Sequence, residues 1–331
     1  MTPRIAITIG DFNGIGPEVT LKSLADPLLR REFHPLLIGP VELFRHYAAM
    51  FRLPLVLEEV ESAGTKPSAG TIPVLPSHPV SLKQLQIGIT APDAGVCAGT
   101  AIEKAIALCM TQQADAMVTA PVSKEALHYA GYNFPGQTEM LALLTRSESV
   151  TMMLIAGSFR VALATVHVPV RAVSENLTVE RIVGRLTTVD RALRNDLGVS
   201  SPRIAVLGLN PHAGENGAIG TEEKTIIAPA IANAAGLGIA AEGPFPADGF
   251  FGAGDHKRYD AVMAMYHDQG LIPLKMTGFD QGINFSAGLK IVRTSPDHGT
   301  AFGIAGKGTA DPGSMKAAIR LAVSIAHQRK R

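Results

Sequence analysis

Apolar runs of strand length recur along the chain at residues 5–9, 34–38, 116–118, 152–155, 161–166, 204–207 and 261–266, and helix-like stretches such as 98–110 and 224–235 separate many of them. That alternation predicts an α/β fold with mainly parallel sheets, because parallel strands need a crossover long enough to hold a helix. Residues 150–170 are the most apolar region, but Gly157, Ser158, Arg160 and His167 interrupt them. They read as two adjacent strands and not as a membrane span. Segments 63–76 and 242–254, which contain Pro and Gly, read as loops. A length of 331 residues with 46% hydrophobic content is enough for two domains.

The charges nearly cancel, with 30 Lys and Arg against 29 Asp and Glu, and no long basic block is present to neutralise a phosphate backbone. Nucleic acid is therefore not an expected partner, and neither is a membrane. Cys97 and Cys109 are the only cysteines and form no CxxC pair, which argues against a disulfide framework or a Cys-rich zinc site and fits a reducing cytoplasm. The opening MTPRIAITIG is too short for a signal-peptide core and reads as a first strand running into Asp11.

In open parallel sheets, ligands sit beyond the carboxyl ends of the strands. Polar residues directly after apolar runs are therefore the first candidates: Asp11, Thr119, Pro121, His167, Asn210, His212, His267 and Asp268. Three of the ten histidines, His167, His212 and His267, share this placement after separate runs. Neutral imidazole is the commonest ligand for zinc and similar ions, and three protein ligands leave a coordination position open for substrate. Any one of these histidines alone reads more simply as a hydrogen-bonded residue at a strand end, but their joint placement favours a metal site.

Three further segments carry two readings each. GDFNGIGPE has Asp11 as an N-cap candidate, Pro17 suited to a first helical turn, and Gly14 and Gly16 for close approach; it is either an anion cradle or a plain strand-to-helix turn. Lys275, Asn284 and Arg293, nine residues apart, suit a substrate bearing phosphate and carboxylate, with solvated surface charge as the alternative. The glycine-rich DHGTAFGIAGKGTADPGSM offers bare backbone to a nucleotide, or is only a flexible connection.

Taken together, GDFNGIGPE, TAPVSKEALHYAGYNFPGQTE, ATVHVPVR, LNPHAGENG, MYHDQGLIPLK and RTSPDHGTAFGIAGKG resemble, in order and across nearly the whole chain, the 4-hydroxythreonine-4-phosphate dehydrogenase family of pyridoxal-phosphate (pyridoxine) biosynthesis. HGTAFGIAGKGTADP also resembles the nucleotide loop of isocitrate and isopropylmalate dehydrogenases. The resemblance implies their fold, two α/β/α domains with mainly parallel sheets and an active site in the interdomain cleft. It implies a nucleotide-side domain of residues 1–125 and 277–331, and a metal and dimerisation domain of residues 126–276.

On the same resemblance, His167, His212 and His267 hold a divalent ion (zinc, magnesium or cobalt), and Gln137, Thr138, Lys275, Asn284 and Arg293 bind substrate. His298, Gly299, Thr300, Ala301, Gly306 and Lys307 lie at NAD or NADP, and the family forms a homodimer that shares the metal site. The implied reaction is metal-dependent, NAD(P)-linked oxidation of 4-phosphohydroxy-L-threonine to 2-amino-3-oxo-4-phosphooxybutanoate, followed by decarboxylation to 3-amino-2-oxopropyl phosphate. Asp248, Asp268 and Lys275 are candidates for taking the hydroxyl proton.

Three positions depart from the family pattern. Gln137 stands where His is usual, Phe12 and Asn13 stand where GDPAGIGPE is common, and Lys290 stands where Pro is frequent. Gln137 can hydrogen-bond but cannot carry a proton, so D-threonate or D-erythronate 4-phosphate is the alternative substrate. A zinc hydrolase and a noncatalytic phosphometabolite-binding protein are the alternatives from other classes.

Overall fold

The computed structural model describes residues 2–134, 136–278 and 281–330. It divides into two compact units, Met1–Arg146 with Lys290–Arg331, and Ser147–Leu289. Residues 126–146 therefore cluster with the first unit, and 277–289 with the second.

The first unit contains β1 (Arg4–Thr8), β2 (His34–Ile38), β3 (Val56–Glu59), β4 (Thr71–Leu75), β5 (Ala116–Thr119) and β12 (Arg293–Pro296), in the order β3-β4-β2-β1-β5-β12. Every pairing in this set is parallel. Burial along β1 and β5 is almost continuous, as expected where helices cover both faces of a parallel sheet. The second unit orders its strands β11-β6-β7-β10-β8-β9, from β6 (Thr151–Ala156), β7 (Phe159–Leu163), β8 (Arg203–Leu207), β9 (Ala240–Phe245), β10 (Ala261–Ala264) and β11 (Ile283–Ala287). Here β6 runs antiparallel to both β7 and β11, while β7, β10, β8 and β9 are mutually parallel. The apolar stretch 150–170 is thus a pair of adjacent strands.

The helix His267–Gly278 lies directly on this second sheet. Its Gly270 is required by that approach, since a Cβ there would fall 2.4 Å from Val161 Cγ1. Leu271 and Leu274 then join the core formed with Val161, Leu163, Val262 and Ala264.

Several elements differ from the sequence reading. The expected loop 63–76 contains β4, and 242–254 contains most of β9 and the helix Ala247–Gly252. β9 is half exposed along its length and includes Gly243 and Pro244, residues that strands tolerate at a sheet edge. β12 reads RTSP, too polar for an apolar-run search, yet it is wholly buried. The stretch 224–235 is a π-helical turn, Glu223–Ile227, followed by the α-helix Ala228–Gly236. No helix among the described residues is long and apolar enough to cross a membrane.

Candidate active site

Strands β7, β10 and β8 are adjacent and parallel, so their carboxyl ends share one edge of the second unit's sheet. The chain leaving β7 is tied to the chain leaving β10: Thr165 donates from N and Oγ1 to the Met265 carbonyl at 3.2 and 2.7 Å. Gln269 ties β10 to β8, accepting from Met265 N and donating from Nε2 to the Gly208 carbonyl, both at 2.7 Å. These links bring the His167 and His267 rings to a centroid separation of 6.0 Å, with their planes 39° apart. His267 Nδ1 lies 2.7 Å from Asp268 Oδ1. A carboxylate only accepts, so Nδ1 is the donor in this pair.

His212 follows β8 on an exposed turn with positive φ. Among the described residues no group of three or more His, Cys, Asp and Glu side chains could hold a metal ion; of the three histidines, it is His167 and His267 whose rings lie near each other. Asp248 is exposed in the first turn of the helix Ala247–Gly252. Lys275 is half-buried on the helix that begins at His267. Asn284 pairs with Leu154 across β11 and β6, and its Oδ1 is buried with no partner among the described residues.

In the first unit, Arg293 opens β12 and is 1% exposed. Its Nε and Nη2 donate to Thr119 Oγ1 at 3.0 and 2.7 Å, and Nη2 also donates to Gln137 Oε1. Burial works against its charge. Because the guanidinium only donates, it fixes the Gln137 amide with oxygen inward. Gln137 Nε2 is left buried without a partner among the described residues, and the half-buried Thr138 follows on the same helix. Thr119 was legible only as a polar residue after a strand; its bond to Arg293 spans 174 positions.

The segment 298–307 is anchored by GDFNGIGPE. Ile15 N donates to the Thr300 carbonyl at 2.9 Å, and Glu18 Oε1 accepts from Ala310 N at 2.9 Å and from Lys22 Nζ at 2.8 Å. Gly299, Ala301 and Lys307 are exposed, and Ala301 and Gly306 have φ of 43° and 72°. A Cβ at Gly299 or Gly303 would meet only open space. His298 Nε2 is buried without a partner among the described residues.

The turn itself is no anion cradle at its centre. Asn13 N donates to Asp11 Oδ1, Gly14 N to the Asp11 carbonyl and Ile15 N to Thr300, so these donors are already used. Pro17 does sit in the first helical turn, but the helix Gly16–Leu24 has no side-chain cap. Asp11 bonds its own turn instead, and burial raises its pKa to about 6.

Residues 31–322 match the family described as pyridoxal phosphate biosynthetic protein PdxA. The chain belongs to this family. A 4-hydroxythreonine-4-phosphate dehydrogenase of Trichlorobacter lovleyi is 43% identical to it over 332 residues, covering 99% of this chain and 98% of the relative. A D-threonate 4-phosphate dehydrogenase of Cupriavidus necator is 42% identical over 333 residues, covering 99% and 98%. The crystal structure of 4-hydroxythreonine-4-phosphate dehydrogenase from Klebsiella pneumoniae matches with a TM-score of 0.88 at 42% identity, covering 98% of each chain. As a member of the family, the chain is an oxidoreductase of the dehydrogenase type.

Proposed function

We propose that this family member oxidises 4-phosphohydroxy-L-threonine with NAD or NADP in a metal-dependent reaction, and that decarboxylation then yields 3-amino-2-oxopropyl phosphate. The observation that carries the metal reading is the His167 and His267 pair, 6.0 Å between ring centroids, with the Asp268 carboxylate on His267 Nδ1. Metal-bound imidazoles characteristically donate their other ring N–H to such a partner. Ligand nitrogens lie about 2 Å from zinc and similar ions, and the two neighbouring rings are proposed as donors to one ion. His212 is proposed as the third ligand, supplied by the second chain of a homodimer.

A bound zinc, magnesium or cobalt ion would act as a Lewis acid toward negative charge developing on the substrate oxygen, in oxidation and in loss of CO2 alike. Arg293, with its planar fork, and Lys275, a point charge, are assigned to the phosphate and carboxylate; Asn284, Gln137 and Thr138 add polar contacts. Asp268 orients His267, which leaves the Asp248 carboxylate to take the proton of the C3 hydroxyl, or Lys275 in place of its role as a cation and only as a neutral amine. The bare backbone of 298–307, with His298 Nε2 unpartnered among the described residues, suits the dinucleotide. On this reading the first unit is the nucleotide side and the second carries the metal and the dimer contact. The enzyme works in the reducing cytoplasm, with Cys97 and Cys109 free and buried.

Gln137 favours a second substrate reading, D-threonate or D-erythronate 4-phosphate. Its Nε2 is a donor, suited to a substrate oxygen and not to an ammonium group. Initial rates of NADH or NADPH formation, with each of the three phosphosubstrates on chelated and metal-restored protein, test the proposal. Turnover that requires both ion and dinucleotide is expected, and the preferred substrate decides between the two readings. Turnover without dinucleotide would make the protein a hydrolase, and tight binding without turnover would make it a noncatalytic binder.

A further inference from the structure

We propose that Glu223 is a positioning residue for the reaction: its buried carboxylate holds the chain after β8 in a left-handed turn that presents His212. The inference rests on the reading of His212 as a metal ligand. In Pro211–Gly217, five consecutive residues adopt left-handed backbone angles: His212 (φ 53, ψ 29), Ala213 (φ 51, ψ 42), Gly214 (φ 78, ψ 0), Glu215 (φ 41, ψ 58) and Asn216 (φ 56, ψ 23). Only one of the five is glycine. L-residues are strained in this region because Cβ crowds the following carbonyl oxygen, and they visit it singly rather than in runs. Such strain persists only where the surroundings over-determine it.

Glu223 supplies that constraint. It is 4% exposed and opens the π-helical turn Glu223–Ile227. Its Oε1 accepts from Leu209 N at 2.8 Å and Asn210 N at 2.7 Å, while Oε2 accepts from Asn210 Nδ2 at 3.0 Å. The same carboxylate presses on the turn itself, since a Cβ at Gly214 would fall 2.5 Å from Oε2. Glu222 reinforces the entry to the turn, accepting from Asn210 Nδ2 and from Ser174 Oγ, both at 2.7 Å. Lys224 Nζ donates to the Asn216 carbonyl and holds the far end.

Two features separate this device from ordinary packing. His212, Glu215 and Asn216 are exposed while Gly214 alone of the five is buried, so the strained turn aims three side chains into solvent. A carboxylate is also the one group that accepts with both oxygens, which three converging N–H donors require. Glutamine would turn an NH2 toward the Asn210 amide. Holding the His212 backbone in advance removes part of the ordering cost of binding an ion.

The test measures Zn²⁺ and Co²⁺ affinity of the full-length apo-protein by competition with a chromophoric chelator, for wild type, Glu223→Gln, His212→Ala and the double variant. Urea unfolding of each protein is followed in parallel. Glu223→Gln should weaken metal affinity about tenfold to a hundredfold, as supporting residues around metal ligands do, and should add no further loss in the His212→Ala background. Loss of affinity in His212→Ala with none in Glu223→Gln overturns the role of Glu223 and leaves the metal reading standing. Unchanged affinity in His212→Ala overturns both. Equal losses from Glu223→Gln with and without His212 make the residue a general stabiliser and reject the proposal. If Glu223→Gln does not fold, Glu223→Asp carries the same comparison, because it keeps the charge and withdraws the carboxylate from Leu209 N and Asn210 N.

Discussion

Arg293 opens a strand in the first unit and the histidines follow strands in the second, yet the chain treats them in opposite ways. Arg293 is 1% exposed and held by Thr119 and Gln137, whereas His167 and His212 are exposed. A buried guanidinium is costly unless its donors are satisfied, and Thr119 and Gln137 hold this one in place from within the protein. Imidazoles can stand in water at little expense, so on the proposed reading this half is open for an ion and a second chain to complete. Changes at the open region should therefore abolish function and spare the fold, while changes at the closed region should move binding and stability together.

The largest effect is expected at the open region. His267→Ala should lose tightly bound metal and reduce kcat by roughly a thousandfold, because the ion's charge stabilisation is worth several kcal/mol. Its unfolding midpoint should stay close to wild type. Metal stoichiometry by elemental analysis with normal turnover would remove His267 from the site.

The first unit also contains a stability test in Asp11, which is buried in its own turn. Burial raises its folded pKa from 3.8 to about 6, so the native state holds this proton more tightly than the unfolded chain. Stability therefore falls as pH rises from about 4 to about 6 and stays lowered above that range. Asn keeps an acceptor for Asn13 N without the charge. Asp11→Asn should gain up to about 3 kcal/mol at neutral pH and nothing below about pH 4, read from urea unfolding across the pH range. A gain independent of pH would show that charge burial is not the cause.

Arg293→Lys keeps a cation but loses the fork that spans Thr119 and Gln137. Substrate binding should weaken by about 1–3 kcal/mol with metal content unchanged; an unaltered KM for the phosphosubstrate would break the assignment. The smallest effect belongs to Gln137→His, which introduces a group that titrates near neutrality. It should change the pH dependence of KM and shift preference toward 4-phosphohydroxy-L-threonine by less than about tenfold, the scale of one modest hydrogen bond. Unchanged kinetics and pH profile would make Gln137 a neutral neighbour.

The same contrast explains what the sequence could reveal. Strands such as β1, β2 and β8 announce themselves as apolar runs, and His167 and His267 are legible because each follows one. β12 is hidden because its polar side chains are satisfied internally, with Arg293 on Thr119 and Thr294 Oγ1 on the Ala318 carbonyl. Asn216 and His212 tolerate left-handed angles singly, but no local signal marks a run of five that also includes Ala213 and Glu215. Glu223 reads as surface charge in the run TEEK, and its burial depends on donors from Leu209 and Asn210, which only the folded chain brings to it.

Hybrid dimers test most directly whether the open region is completed by a second chain. His167 and His267 are close within one chain, so the shared site should combine them with His212 of the partner. Differentially tagged His212→Ala and His267→Ala subunits, each inactive alone, should regain metal-dependent turnover when exchanged into one dimer, because one of its two sites is then intact. Hybrids of His167→Ala with His267→Ala should stay inactive, since each site lacks one member of the pair. Recovery in the second hybrid would divide that pair between chains; confirmed hybrids with no recovery in the first, while wild type survives the same exchange, would contradict a site shared in this way.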